Sequence, residues 1–312
     1  MNTSSSSGNG CPPKWTSAAQ PATRLAQYRE EILAPNGVYI IDVDAEISTK
    51  LKNLAESLIR GGTTPSPPTS DGFVEGDGIV ALTGDVARAA KYFIDKLGWD
   101  IPGLIHHEEF PVYRQLLPNN PATGSENKLE QPVPGILYGY SREALRDAIV
   151  CTTKEELLTD LDANSKDLLL PFFAVEFEPQ TVGQQSNLDA AVNRAAGAGS
   201  ACVKLAEDTI RARAPKDHPQ FFDALTPTAF SAVMSKSEAR LYVHSKVEQK
   251  YQMQLLTKYT LSQVDGYNDF HRAVRNILQW GGSKRLMNIR LGINMSNFMT
   301  TGWTTVSLGP LP

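Results

Sequence analysis

The chain has 312 residues, 41% of them hydrophobic and 21% charged, enough to bury a sizeable core and too apolar for a disordered chain. With 30 Lys and Arg against 34 Asp and Glu, the net charge is −4, which excludes a globally basic nucleic-acid binder but leaves room for a local basic patch. Cys11, Cys151 and Cys202 are too far apart for a disulfide scaffold or a CxxC zinc site, and no run of about 18 apolar residues marks a membrane span. The Ser/Gly-rich start has no apolar stretch of the secretory kind, so the expectation is an intracellular protein, cytosolic or nuclear, without membrane association.

Residues 1–22 are rich in Ser, Gly, Pro and Thr with one Trp, a composition that predicts a flexible tail. Thr23–Leu33 reads as a short helix, Asn36-Gly37 as a turn, and Val38–Ile41 as a short β-prone run. Ser48 is placed to cap a helix whose Leu51, Leu54 and Leu58 form one stripe up to Arg60. A Pro/Thr/Ser loop follows over Gly61–Gly72, then a helix over Val86–Leu97, so the N-terminal part reads as mainly helical. Ile105–Leu117 contains apolar residues around a His-His-Glu-Glu cluster that reads as a solvated loop, Asn119–Gln131 reads as a loop, and Ile136–Tyr140 as a strand. Ser141–Val150 and Thr153–Leu161 read as helical turns, the second with Thr153 and Glu156 in a capping-box pattern.

Leu168–Phe177 is nearly continuous apolar, the pattern of a central strand covered on both faces. Asn187–Ala212 reads as one long helix whose Ala, Gly, Ser and Cys middle lets it lie close to a sheet. Ala229–Met234 and Arg240–Ser245, separated by a break that contains the polar run Ser235-Lys236-Ser237-Glu238, predict a hairpin. Gln249–Tyr259 and Tyr267–Trp280 read as helices broken at Asp265-Gly266, with Gly281-Gly282 ending the second and a further turn over Ser283–Arg290. Phe298–Pro312 reads as an extended tail, leaving residues 23–297 as one elaborated α/β domain.

Two carboxylates close the central strand. Glu176 and Glu178 are two apart, so both project to one side while Val175 and Phe177 point to the other. Such a pair can hold a divalent cation, keep one group protonated as an acid, or sit solvated at a strand end. His106-His107-Glu108-Glu109 is the densest titratable cluster, but adjacent histidines diverge and do not make a zinc motif. Tyr138 and Tyr140 alternate along their strand and can stack on a ligand or pack in the core. Arg272, Arg275, Lys284, Arg285 and Arg290 form a C-terminal basic set that suits phosphate contacts or ion pairs. Cys202, in the small-residue helix, reads as buried filler. No nucleophile elbow, P-loop or dinucleotide fingerprint is present.

The stretch PFFAVEFEPQ, the following AAVNRAAGAGSACV, and the segments PVPGILYGY, ARLYVH and DFHRAVRNILQWGGSKRLMNIR resemble a group of uncharacterised fungal proteins with a PD-(D/E)XK nuclease-like domain. The resemblance runs roughly from Thr23 to Arg290 and is densest from Pro132 onward. It implies an α/β fold, a small mixed sheet flanked by helices, here with a helical N-terminal elaboration. It also implies a site in which the Asp of a Pro-Asp pair and the Glu of E-x-K hold Mg²⁺ while the Lys assists phosphodiester hydrolysis.

In this sequence Glu176 falls at the Glu, Glu178 at the Lys, and Pro134-Gly135 at the Pro-Asp. The candidates carried over are Glu176, Glu178, Asn193, His106 and His107 for chemistry, and Tyr138, Tyr140, Gln184 and Arg194 for substrate. Glu176 and Glu178 would hold Mg²⁺ or Mn²⁺ if any metal binds. The lost acid, the Lys-to-Glu change and the acidic net charge favour a silent or repurposed site, acting on or binding a small molecule or nucleic acid, over an active nuclease.

Overall fold

The computed structural model describes residues 22–41, 48–61, 86–96, 100–119, 128–146, 154–178, 188–213 and 227–300. Its strands are β1 (Val38–Ile41), β2 (Leu104–Glu108), β3 (Ile136–Tyr140), β4 (Leu169–Phe177), β5 (Ala229–Met234), β6 (Glu238–Val247) and β7 (Lys250–Thr260). They form one seven-stranded sheet in the order β1-β7-β6-β5-β4-β3-β2. β4 runs parallel to β5 and β1 parallel to β7, and every other neighbouring pair is antiparallel, so the sheet is mixed. All nine residues of β4 are buried, as its unbroken apolar run requires of a central strand.

The helices are α1 (Ala22–Tyr28, continued by a π turn over Arg29–Leu33), α2 (Thr49–Arg60), α3 (Val86–Lys96), α4 (Arg142–Arg146), α5 (Lys154–Asp160), α6 (Asp189–Arg213), α7 (Val264–Trp280) and α8 (Leu286–Thr300). Ser48 caps α2 by accepting the Leu51 N–H at 3.3 Å. The long helix α6 crosses one face of the sheet and links the parallel strands β4 and β5. Its small residues explain how closely it lies. Ala191, Ala195, Ala198 and Ala201 are fully buried, and a Cβ at Gly199 would strike the His244 ring on β6. On the other face Phe93 of α3 packs against Phe173 and Phe177, with ring centroids 6.5 and 6.2 Å away. Trp280 of α7 meets Phe230 edge-on at 5.5 Å. Among the described residues no helix is long and apolar enough to cross a membrane.

Several elements differ from the sequence expectation. Gln249–Tyr259 is not a helix, because Lys250–Thr260 forms strand β7. The adjacent Leu255-Leu256 breaks its alternation and imitates helical spacing, but pairing with β6 along its length decides the outcome. The histidine cluster lies on β2 rather than in a solvated segment, since its backbone pairs with β3. Asp265-Gly266 falls inside the first turn of α7, and Gly281-Gly282 opens a π turn (Gly281–Arg285) that leads directly into α8. Glycine is needed at both positions of that turn: a Cβ on Gly281 would enter the Phe172 ring, and one on Gly282 would meet Ile101. α8 also carries the helix to Thr300, past the start of the expected extended tail. The rest of that tail, residues 301–312, and residues 1–21 lie outside the described residues.

Candidate functional site: a carboxyl pair at the end of the central strand

The site forms where β4 ends beside the parallel β5. At the carboxyl ends of parallel strands the chain must leave the sheet, and side chains there converge with the start of the crossover helix. Ala174 and Glu176 face α6, while Phe173, Val175 and Phe177 face α3, so alternation sets Glu176 beneath the first turns of α6. Glu178 follows two residues on, and its backbone N–H extends the ladder by donating to the Met234 carbonyl at 2.8 Å.

Glu176 is 2% exposed. Arg194 of α6 donates through Nε to Glu176 Oε2 at 3.0 Å and through Nη2 to the Phe177 carbonyl at 3.0 Å. Among the described residues, Glu176 Oε1 and Glu178 Oε2 are buried without a hydrogen-bond partner. Removal from water pushes the Glu176 carboxyl up to about 7, against the pull of Arg194. Glu178 is likewise pushed up to about 7, chiefly by burial, with Asp189 and Glu176 adding to the rise and Arg194 opposing it.

A second set of contacts fixes the start of α6. Asn193, 3% exposed, accepts from Arg29 Nε at 2.8 Å and donates through Nδ2 to the Leu25 carbonyl at 3.3 Å. Arg29 also pairs with Asp189 at 3.1 Å. Asn193 is thus committed to tying α1 to α6. On the same face, the register aligns Glu176, Val233 and Arg240 in one row across β4, β5 and β6, which sets Arg240 two strands, or about 10 Å, from Glu176. Arg240 is held by Glu238 at 2.6 Å. Tyr242, next on that face, lies in the fields of Arg240, Arg29 and Asp189, and its burial raises the phenol's pKa.

The other sequence candidates lie elsewhere. His106 pairs with Tyr138, which pairs with Phe173, so both sit on the face opposite Glu176. The His106 and Tyr138 rings are 5.3 Å apart, and burial lowers the His106 pKa. His107 shares the Glu176 face but lies on β2, two strands from β4, where its Nδ1 accepts from Asn164 at 2.9 Å. Tyr140 is fully buried and donates to the Gly281 carbonyl at 2.8 Å while accepting from Arg285 at 2.9 Å. Gln184 lies outside the described residues.

The basic set does not converge either. Arg272 pairs with Asp269, Arg290 donates to the Ala144 carbonyl, and Arg285 is buried against the rings of Tyr140, Phe172 and Trp280. Burial pushes the Cys202 thiol up to about 12, so it is inert as a nucleophile at neutral pH. Among the described residues no group of three or more His, Cys, Asp and Glu side chains is placed to hold a metal ion.

Arg29, Asp189, Arg240 and Tyr242 join the site without having been singled out in the sequence. The alternation Arg240, Tyr242, His244 within ARLYVH is a readable signal for β6. Arg29 offered none, since it arrives from 160 residues away in the chain.

These features define an α/β protein with a mixed seven-stranded sheet and a buried carboxyl–guanidinium centre at the end of its central strand. The chain belongs to the DUF7924 family, a domain of unknown function, whose model matches residues 94–293. That span runs from within α3 into α8 and covers Glu176, Glu178, Asp189 and Arg194, whereas Arg29 and β1 precede it. No curated protein and no solved structure matches the chain.

Proposed function

We propose that this chain is a divergent PD-(D/E)XK nuclease-like protein whose site no longer supports metal-dependent phosphodiester cleavage and instead serves a small molecule through metal-free acid/base chemistry or binding. The observation that carries the reading is the Arg194–Glu176 pair: the glutamate at the metal-binding position already has one oxygen engaged by an internal cation. Gly135, at the place of the lost Asp, supports it too. A Cβ there would come within 2.7 Å of the Phe177 ring and 3.1 Å of the Val175 carbonyl, so no acid fits without rearrangement. Glu178, at the Lys position, repels a phosphodiester rather than attracting it. A carboxyl pushed up to about 7 is instead suited to taking and giving a proton near neutral pH.

Three measurements test this. Calorimetric titration with Mg²⁺ and Mn²⁺ should show no saturable binding at millimolar metal, and DNA and RNA should not be cleaved. A thermal-shift screen of small organic ligands should return compounds whose stabilisation is lost in Glu178→Gln. The competing reading is a divergent metal-dependent nuclease, favoured by Glu176 Oε1 and Glu178 Oε2, which have no hydrogen-bond partner among the described residues. Metal binding that disappears in Glu176→Gln, together with cleavage, would replace the proposal with that alternative.

A further inference from the structure

Arg285 is a cation enclosed in the core, 3% exposed, and among the described residues no carboxylate pairs with it. Its Nη1 donates to the Tyr140 hydroxyl at 2.9 Å and to the Leu170 carbonyl at 3.2 Å, both neutral acceptors. Nε and Nη2 are buried without a partner among the described residues. The Tyr140, Phe172 and Trp280 ring centroids lie 5.4, 5.1 and 5.9 Å from the guanidinium carbon and offset part of its desolvation. A guanidinium does not shed its proton, so the charge stays wherever the side chain goes. Water would solvate the charge and both unmet N–H groups, and the docked position withholds it.

The surrounding backbone is bent to make this contact. Leu170 has a φ of +43°, the left-handed region that disfavours a residue with a Cβ, and its carbonyl is the one that Arg285 reaches. Arg285 closes the π turn that opens on Gly281-Gly282, so it stands at the junction of α7 and α8. Beyond it, α8 is seated by the buried Leu286, Ile289 and Ile293 and by Arg290, which donates to the Ala144 carbonyl at 2.7 Å. Its outer side carries Met287 and Leu291, 53% and 56% exposed. No residue of α8 belongs to the sheet, so α8 can leave without breaking a ladder hydrogen bond.

We infer that α8 is a strap that opens as a unit about the Gly281-Gly282 turn, with Arg285 as a latch whose burial favours release. In the closed state Leu286, Ile289 and Ile293 hold the strap down. In the open state Arg285 passes from between the rings into water while the strands stay paired. Opening bares Tyr140 and Phe172, both fully buried when the strap is closed.

The test is native-state hydrogen exchange of the full chain, read at the amides of Ile289 and Ile293 against that of Val175 in β4. In the wild type the two α8 amides should exchange faster than Val175. Arg285→Met keeps an apolar stem between the rings and removes the charge. It should slow α8 exchange about tenfold or more, because an apolar side chain of similar volume is often more stable in a core than a charge. Gly282→Ala acts the other way. Its Cβ strikes Ile101 in the closed turn, so α8 exchange should quicken while Val175 is unchanged. Equal protection of α8 and β4 in the wild type would overturn the inference. So would α8 exchange that is unchanged or faster in Arg285→Met, the outcome for an arginine that merely holds α8 in place. Gly282→Ala without faster exchange confined to α8 would count equally against it. If Arg285→Met does not fold, the contacts of the arginine outweigh the cost of its burial, and the latch falls as well.

Discussion

Arg194 joins Glu176 to the backbone of its own strand: Nε donates to the carboxylate and Nη2 to the Phe177 carbonyl, each at 3.0 Å. One cation from α6 thus balances the acid of β4, and the balance is lost if the guanidinium is removed. In Arg194→Met the apolar stem is kept and the charge is not. Leaving a buried carboxylate unpaired costs about 3 kcal/mol. Urea denaturation should show that loss at pH 8 and a smaller one at pH 5, where Glu176 takes up a proton. An equal loss at both values would mean that the arginine contributes through packing alone.

Glu178 sets a second pH dependence. Its ordinary pKa is 4.5, and in the folded chain it is raised to about 7. Between these values the unfolded chain releases the proton first, so this group makes the fold less stable as pH rises from 4.5 to 7. Glu178→Gln removes that pH dependence. The melting temperature of the variant relative to wild type should climb across this window and level off above it. A difference that stays flat with pH would count against a raised Glu178 pKa.

Gly199 and Gly197 lie two residues apart in α6 and should respond in opposite ways to alanine. A Cβ at Gly199 strikes the His244 ring, which is buried and anchored by Ser231 Oγ at 2.8 Å from Nε2. Overpacking of this kind typically costs ~1–3 kcal/mol. A Cβ at Gly197 meets only Pro132 Cγ, at an ordinary 3.5 Å. There, replacing glycine within a helix is worth up to about 1 kcal/mol of stability. Chemical denaturation of the two variants side by side checks the contrast, and a stabilised Gly199→Ala would show that α6 lies further from β6 than described.

The family match begins at residue 94, yet elements before it complete the fold. Arg29 clamps Asp189 and Asn193, β1 pairs with β7, and Phe93 packs on Phe173 and Phe177. A chain starting at residue 94 should therefore lose its near-ultraviolet circular dichroism and its cooperative thermal transition. A sharp transition in that fragment would make the preceding segment an accessory.

How far these features were legible in the sequence depends on where the deciding contact lies. β4 was readable because eight of its nine residues are apolar, and the hairpin of β5 and β6 was readable because two β-prone runs flank a short polar break. β7 was not, because Leu255-Leu256 disturbs the alternation and the deciding partner, β6, acts through the backbone. At the site, the shared face of Glu176 and Glu178 followed from their spacing. The role of Arg194 as the partner of Glu176 did not, since it depends on where α6 crosses the sheet. Tyr138 was separated from the site by the same period of two, read in the neighbouring strand only once Phe173 fixed its register.

The pairing of β1 with β7 also bears on how the protein is made. Val38 meets Tyr251, so β1 leaves the ribosome roughly 200 residues ahead of its neighbour, on the order of ten to forty seconds at usual elongation rates. During that interval β1 has no ladder to join. Joining such distant segments carries a loop-closure cost that slows folding, so the N-terminal elements dock after the rest of the sheet has been synthesised.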